Sequence, residues 1–427
     1  MEFELGEDYA LQMDAEDPLA GYKDRFYHLP GKIYMDGNSL GLLSTDAEDA
    51  LLKILEEWKT LGIGGWSGGE TPWITYAERL GAMESGIVGA EPEEVVVCGG
   101  TTVNLHALVA TFYQPEGKRK KILADELNFP SDIYALAAQI RLRGGDPDED
   151  LILVKSRDGR IIEEEDIVDA MSDEVALVLL PSVYYRSGQL LDMGRLTSEA
   201  RKRDIPIGFD CSHSVGVFPH RFDDWGVDFA FWCNYKYMNG GPGATGSIYV
   251  NRRHFGRMPG LTGWFGNDRS TMFDMELKFD PAEDASAWQI GTTTMLSTAP
   301  LEGAIRMINE AGIGNIREKS LKITGYLMYL IDETLSDPPY SFSIGTPREP
   351  DRRGGHVGVE HGDAWRVNEA LKARGVIPDF RPPNVIRLAP IPLYVSYRDV
   401  WEVSRHLKAV IDNGEHERFS EEKGVVT

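Results

Sequence analysis

Cysteine is scarce. Cys98, Cys211 and Cys233 are the only three in 427 residues, and their wide separation, without metal-ligand spacing, argues against a disulfide framework or a zinc site. They read as buried thiols. Long hydrophobic runs are missing as well: no stretch of about 18 apolar residues offers a membrane span, so a soluble chain is expected. Positive charge is in deficit, with 44 Lys and Arg against 68 Asp and Glu and a net charge of -24. Such a field repels phosphate backbones and anionic lipid, so nucleic acid and membranes are not expected partners. The acidity itself reads as a solvated surface. Met1-Glu2-Phe3-Glu4 lacks the basic-then-apolar pattern of an export signal, which predicts a cytoplasmic location. Internal repeats and low-complexity segments are absent too, which leaves small-molecule chemistry as the expected function class.

What is present is length and pattern. A chain of 427 residues exceeds one ordinary core and predicts a large domain with a smaller partner. From about residue 90, short apolar runs alternate with turn residues and helical patterns: Val95–Cys98, Ile122–Ala124, Leu151–Val154, Val175–Leu180, Ile207–Asp210, Phe229–Cys233 and Ile248–Val250. Most are nearly continuous, as strands covered on both faces are, although buried helix segments would read alike. The expected fold is α/β, a large doubly wound and mostly parallel seven-stranded sheet followed by a smaller α+β C-terminal domain. After Pro300 a helical stretch runs from Leu301 to about Leu335, then strands follow at Ser341–Ile344, His356–Val359 and Val385–Leu388. The expected division is residues 1–65 packing on both domains, 66–300 the large domain, 301–414 the small domain, and 415–427 a charged, frayed tail.

Three stretches carry chemistry. Phe229–Gly246 is an apolar strand ending in Asn234-Tyr235-Lys236 and a glycine-rich loop, which puts a lysine at the sheet edge where open α/β folds bind ligands. Read alone, Lys236 is an ordinary surface lysine snorkelling from a strand end. Ile207–Gly216 delivers Asp210 to a strand end and His213 three residues later; a carboxylate there keeps a pyridine nitrogen protonated, the condition for an electron-sink cofactor. Singly, Asp210 also reads as a helix cap and His213 as a structural histidine. Val95–Leu105 places Gly99, Gly100, Thr101 and Thr102 between a strand and a helix, a cup whose N–H groups suit a phosphate dianion, or an ordinary capped helix start. Phe129 and Asp132 follow another strand end, placed to stack on a ring and to contact it. Together these residues describe pyridoxal phosphate: a phosphate, a ring, a pyridine nitrogen and an aldehyde for Lys236.

On these residues, and on Gly37-Asn38-Ser39-Leu40-Gly41, Pro72-Trp73-Ile74-Thr75, Thr102-Val103-Asn104-Leu105-His106, Phe129-Pro130-Ser131-Asp132, Trp225-Gly226-Val227-Asp228-Phe229, Gly263-Trp264-Phe265-Gly266 and Ile386-Arg387-Leu388-Ala389-Pro390, the chain resembles the kynureninase family. That family lies in the aspartate-aminotransferase-like, pyridoxal-phosphate-dependent transferase-like fold group, and the likeness covers nearly the whole length. The resemblance implies hydrolytic cleavage of L-kynurenine to anthranilate and L-alanine in tryptophan degradation, by a homodimer with shared sites. It implies that Lys236 forms the Schiff base, Asp210 pairs with the pyridine nitrogen, His213 holds the ring and Phe129 stacks on it. Asp132 and Ser182 are further cofactor contacts, and Thr101, Thr102 and Tyr235 match phosphate positions. Trp264 and Thr292 reach over from the other subunit. Arg387 is the implied clamp for the substrate's α-carboxylate, with Ser39 beside it, and a guanidinium fork suits that task. Tyr235 is also the implied proton donor. Where members that prefer 3-hydroxykynurenine carry histidine and asparagine, this chain has Trp66 and Thr292, which implies preference for the unsubstituted ring. Around Ser182 the chain is one residue shorter than the family pattern.

Rival readings are a class V aminotransferase or a cysteine desulfurase of the same fold, and a catalytically silent binding relative. A desulfurase needs a mobile, exposed cysteine, and none of the three cysteines looks free. Intact Lys236, Asp210 and Arg387 argue against a silent relative.

Overall fold

A computed structural model describes residues 3–422. Its large sheet has seven strands, β1 (Val95–Val97), β2 (Lys121–Asp125), β3 (Leu151–Val154), β4 (Val175–Pro181), β5 (Ile207–Asp210), β6 (Phe229–Trp232) and β7 (Ser247–Val250), in the order β1-β7-β6-β5-β4-β2-β3. Only β7 runs against the rest, antiparallel to both β6 and β1. The other neighbours pair in parallel. Central strand β4 is buried at every residue, whereas edge strand β3 is buried only at Val154. That contrast is what two covered faces and one open edge produce. Because six strands point the same way, the turns after β1, β2, β4, β5 and β6 all emerge at one edge, and every chemical motif noted above sits there.

The helical stretch after the sheet is two helices, Met295–Ala311 and Ile313–Leu335. Gly312, at φ +78°, separates them, a backbone conformation that side chains disfavour. The first helix begins before Pro300, which sits inside it. Proline has no N–H for the carbonyl four residues back, but that residue, Leu296, is 44% exposed and open to water. A four-stranded antiparallel sheet follows, with β8 (Ser343–Ile344), β9 (Val357–Glu360), β10 (Asp379–Arg381) and β11 (Val385–Leu388) in the order β10-β11-β9-β8. Strand β8 starts two residues later than expected because Ser341 adopts φ +56°. Strand β10 was not expected: its Asp-Phe-Arg sequence lies between Pro378 and Pro382-Pro383, and proline flanks argue against a strand.

The N-terminal segment reaches widely. Helix Glu7–Ala15 packs on helix Tyr397–Asp412, helix Thr45–Leu61 packs on Met295–Ala311, and Ile33–Tyr34 pairs in parallel with Val376–Ile377. The expected fraying after Gly414 does not hold for its first residues. Glu415–Arg418 forms a helical turn with His416 buried, and Glu415 pairs with Arg374 at 2.9 Å. Residues 423–427 lie outside the described part. Among the described residues no helix is long and apolar enough to cross a membrane.

Candidate active site

A cavity opens at the carboxyl edge of the large sheet, under the small sheet. Its wall gathers Ser39, Thr101, Thr102, Phe129, Asp132 and Asp210, together with His213, Tyr235, Lys236 and Arg387. These ten expected site residues come from segments spread over most of the chain, and only the common strand direction brings them together.

Lys236 follows β6, and its Nζ lies 2.9 Å from His213 Nε2. The His213 ring is buried, and burial followed by the Lys236 charge pushes its pKa well below the usual histidine range. It is therefore a neutral imidazole, and its Nδ1 has no hydrogen-bond partner among the described residues. Asp210 ends β5 and accepts the Ser212 N–H at 2.8 Å. Asp132, in the first turn of helix Pro130–Leu142, is 3% exposed. Burial and then the charge of Asp210 hold its carboxyl well above the usual range. Burial likewise raises the Tyr235 phenol, whose ring lies 6.0 Å from Lys236 Nζ. An amine, a neutral imidazole, a protonated phenol and two carboxyl groups thus face one space.

The expected phosphate cup falls at the N-terminus of helix Thr101–Phe112. Gly100 at its N-cap offers no side-chain hydrogen bond, so the first N–H groups are open for an anion. Gly99, at φ +58°, turns the chain from β1 into the helix. The turn is tied down by Gly246 N–H to Gly99 O at 2.8 Å and Cys98 N–H to Gly246 O at 2.9 Å. Asn104 Nδ2 donates to Cys98 O at 2.7 Å, and the Thr102 and Ser131 hydroxyls lie 2.8 Å apart. On the opposite wall burial lowers Arg387 to about 10, still cationic at neutral pH. Its Nη2 donates to Ser39 Oγ at 2.8 Å.

Four expected residues do not line this cavity. Ser182 is fully buried, its hydroxyl donating to Asp210 O at 3.0 Å and lying 2.6 Å from Ser214 Oγ; its neighbours Pro181 and Val183 line the cavity instead. The side-chain alternation of an extended segment explains that. Trp264 is 48% exposed, with its indole N–H on Met272 O at 3.3 Å. Thr292 is exposed in its loop. Trp66 packs edge-on against Trp73 and Phe265, with ring centroids 5.8 and 6.1 Å away.

Curated relatives of the chain carry one name. A kynureninase of Geobacillus thermodenitrificans (strain NG80-2) is 58% identical over 419 residues, covering 98% of this chain and 97% of its own. One from Bacillus cereus is 55% identical over the same span. The chain belongs to the kynureninase family. A model of the kynureninase C-terminal domain matches residues 316–407, the segment holding β8 to β11 and Arg387. Solved structures share the fold at low identity. A cysteine desulfurase from Thermococcus onnurineus NA1 has a TM-score of 0.74 at 17% identity, covering 96% of this chain and 99% of its own. The cystine C–S lyase C-DES with its product cysteine persulfide has a TM-score of 0.75 at 16% identity, covering 89% and 98%. In this kynureninase-family chain all three cysteines are buried, and burial raises the Cys98 thiol to about 12, the reverse of a reactive thiolate.

The cavity also holds residues that the sequence reading missed, among them Asn38, Tyr185, Ser212 and Arg381. Asn38 and Ser212 adjoin residues already singled out, so proximity in sequence was a usable signal. Tyr185 and Arg381 had none. Behind His213 stands His356, fully buried, its ring centroid 5.7 Å away, and burial lowers it to about 3.

Proposed function

We propose that the chain is a pyridoxal-phosphate-dependent hydrolase that cleaves L-kynurenine to anthranilate and L-alanine, a step of tryptophan breakdown. The observation that carries this reading is the Lys236 amine, 2.9 Å from His213 Nε2 in a cavity that Asp132, Asp210 and the uncapped start of helix Thr101–Phe112 also line. Orphaned buried polar atoms fit the cofactor: His213 Nδ1 and Asp132 Oδ2 have no protein partner among the described residues, and the helix start lacks a capping side chain. Bound there, pyridoxal phosphate supplies an aldehyde for amines and a protonated ring that withdraws electrons from the substrate's α-carbon.

The chain's own residues do the rest. Lys236 would hold the cofactor through its aldehyde and, as a free amine, could serve as the base at the substrate's α-carbon. Asp210 would hold the charge of the pyridine nitrogen, and neutral His213 would orient the ring. Phe129, edge-on to Tyr185 at 5.4 Å, offers an exposed aromatic face for stacking. The helix N-terminus with Thr101 and Thr102 holds the phosphate. Tyr235, kept protonated by burial, could serve as the proton donor to the substrate's β-carbon. Arg387 and Ser39 receive the α-carboxylate.

The same reading includes a homodimer. Exposed Trp264 stands among Phe273, Met275 and Leu277, all more than half exposed, an apolar surface suited to a second copy. This would bring Trp264 and Thr292 to the partner's site. The division at residues 65, 300 and 414 and a cytoplasmic location complete the proposal. Anthranilate fluorescence from L-kynurenine and purified protein tests it. Lys236→Ala, freed of cofactor and reloaded, should lose that activity and the absorbance of lysine-linked cofactor. Cofactor-loaded wild-type protein that releases no anthranilate would favour the aminotransferase reading.

A further inference from the structure

The small sheet brings a second guanidinium to the cavity. In the register of β10 and β11, Asp379 lies directly opposite Arg387. Arg381 stands two residues after Asp379 and so shares its face. Three groups converge on one atom, Asp379 Oδ2: Arg387 Nη2, Arg381 Nη2 at 3.1 Å and Ser39 Oγ at 3.5 Å. The Asp379 and Arg387 side chains are each 2% exposed, whereas that of Arg381 is 31% exposed and lines the cavity.

Arg387 already has protein acceptors. Its Nη1 donates to Tyr185 O at 2.9 Å, and its Nη2 donates to Ser39 Oγ and to Asp379. A substrate carboxylate that took the whole fork would displace a buried aspartate from its counter-ion, and breaking such a pair is strongly unfavourable. Asp36, held above the usual carboxylate range by burial, faces both guanidiniums as well. Acids of the protein therefore engage the positive charge of this wall before any substrate arrives. A carboxylate can be held without dismantling this arrangement if it bridges the remaining donors of Arg387 and the cavity-facing edge of Arg381.

We propose that Arg381 is a second carboxylate-recognising residue, paired with Arg387 and held in register with it by Asp379. The proposal rests on the reading of Arg387 as the α-carboxylate clamp. The holoenzyme is titrated with L-alanine and with L-alaninamide, which differ in the carboxylate, and binding is followed by cofactor absorbance. Arg381→Gln should weaken L-alanine about ten-fold or more, the scale of one lost charge-assisted contact, and leave L-alaninamide unchanged. Arg381→Lys, which keeps the charge without the fork, should recover part of the loss. Unchanged L-alanine affinity in Arg381→Gln overturns the proposal, as does equal weakening of both ligands. If Arg381→Gln does not retain cofactor, Arg381→Lys decides alone, and full wild-type discrimination there counts against the proposal. Arg387→Gln separates the two readings. If it abolishes discrimination while Arg381→Gln keeps it, only the role of Arg381 falls; if wild type does not discriminate, the clamp reading falls with it.

Discussion

Glu84 illustrates how burial alone sets the behaviour of a single residue. It is fully buried on helix Tyr76–Val88, with the Trp232 and Ser247 side chains beside its carboxyl group. Burial raises its pKa from 4.5 to about 8. The folded state thus binds this proton more tightly than the unfolded chain does. The stability it contributes is fully present below pH 4.5, and it is lost as pH rises through about 8. Glu84→Gln, neutral throughout, should therefore gain thermal stability over wild type at pH 9 but not at pH 4.5, by on the order of a few kcal/mol. Melting curves at the two pH values check this, and equal differences would sink it. Substrate choice would also be set by single residues under the proposed function. If Trp66 and Thr292 border the aniline in the assembled enzyme, an added ring hydroxyl finds no partner and bears roughly 1 to 3 kcal/mol of desolvation. L-Kynurenine should then be preferred over 3-hydroxykynurenine by about ten-fold or more in kcat/KM. Equal efficiencies would leave Trp66 as packing for Trp73 and Phe265.

At the scale of elements, the turn from β1 into helix Thr101–Phe112 couples stability to phosphate binding. A Cβ on Gly99 would meet Asn104 Oδ1 at 2.3 Å, in a backbone conformation at φ +58° that side chains rarely adopt. Gly99→Ala should cost about 1 to 2 kcal/mol. It should also loosen the cofactor, because Asn104 is what ties Cys98 to the helix. Urea midpoints and the rate of cofactor release measure the two effects. A variant destabilised without faster release would uncouple the turn from the phosphate site.

The whole molecule brings a prediction that no isolated site makes. Trp264 and Thr292 lie outside the cavity of their own chain, and the proposed homodimer places them in the partner's. Lys236→Ala mixed with a Trp264→Ala, Thr292→Ala double variant should then regain activity in heterodimers, each of which contains one intact site. Both parents must be nearly inactive and subunits must exchange. Exchange demonstrated without recovered activity would rule out shared sites.

Much was legible in the chain itself. Apolar runs with turn signals marked all seven strands of the large sheet to within a residue or two, because strands covered on both faces have continuous hydrophobic patterns. The lysine, the Asp-x-x-His and the Gly-Gly-Thr-Thr were legible because each stands at a strand's carboxyl end, where local sequence sets the turn. Strand β10 was not, because flanking prolines hide a strand whose pairing with β11 is made by tertiary contacts. Which face Ser182 presents, why the buried Asp132 carboxyl beside Asp210 is held above the usual range, and that Arg381 joins Arg387 on one wall depended on strand register and burial. Those arise only when distant segments pack. The sequence by itself determined the strands of the large sheet, their mostly parallel course and the chemical groups at their ends; the tertiary structure alone decided which groups meet and in what protonation state, since both follow from desolvation and from distances across the chain.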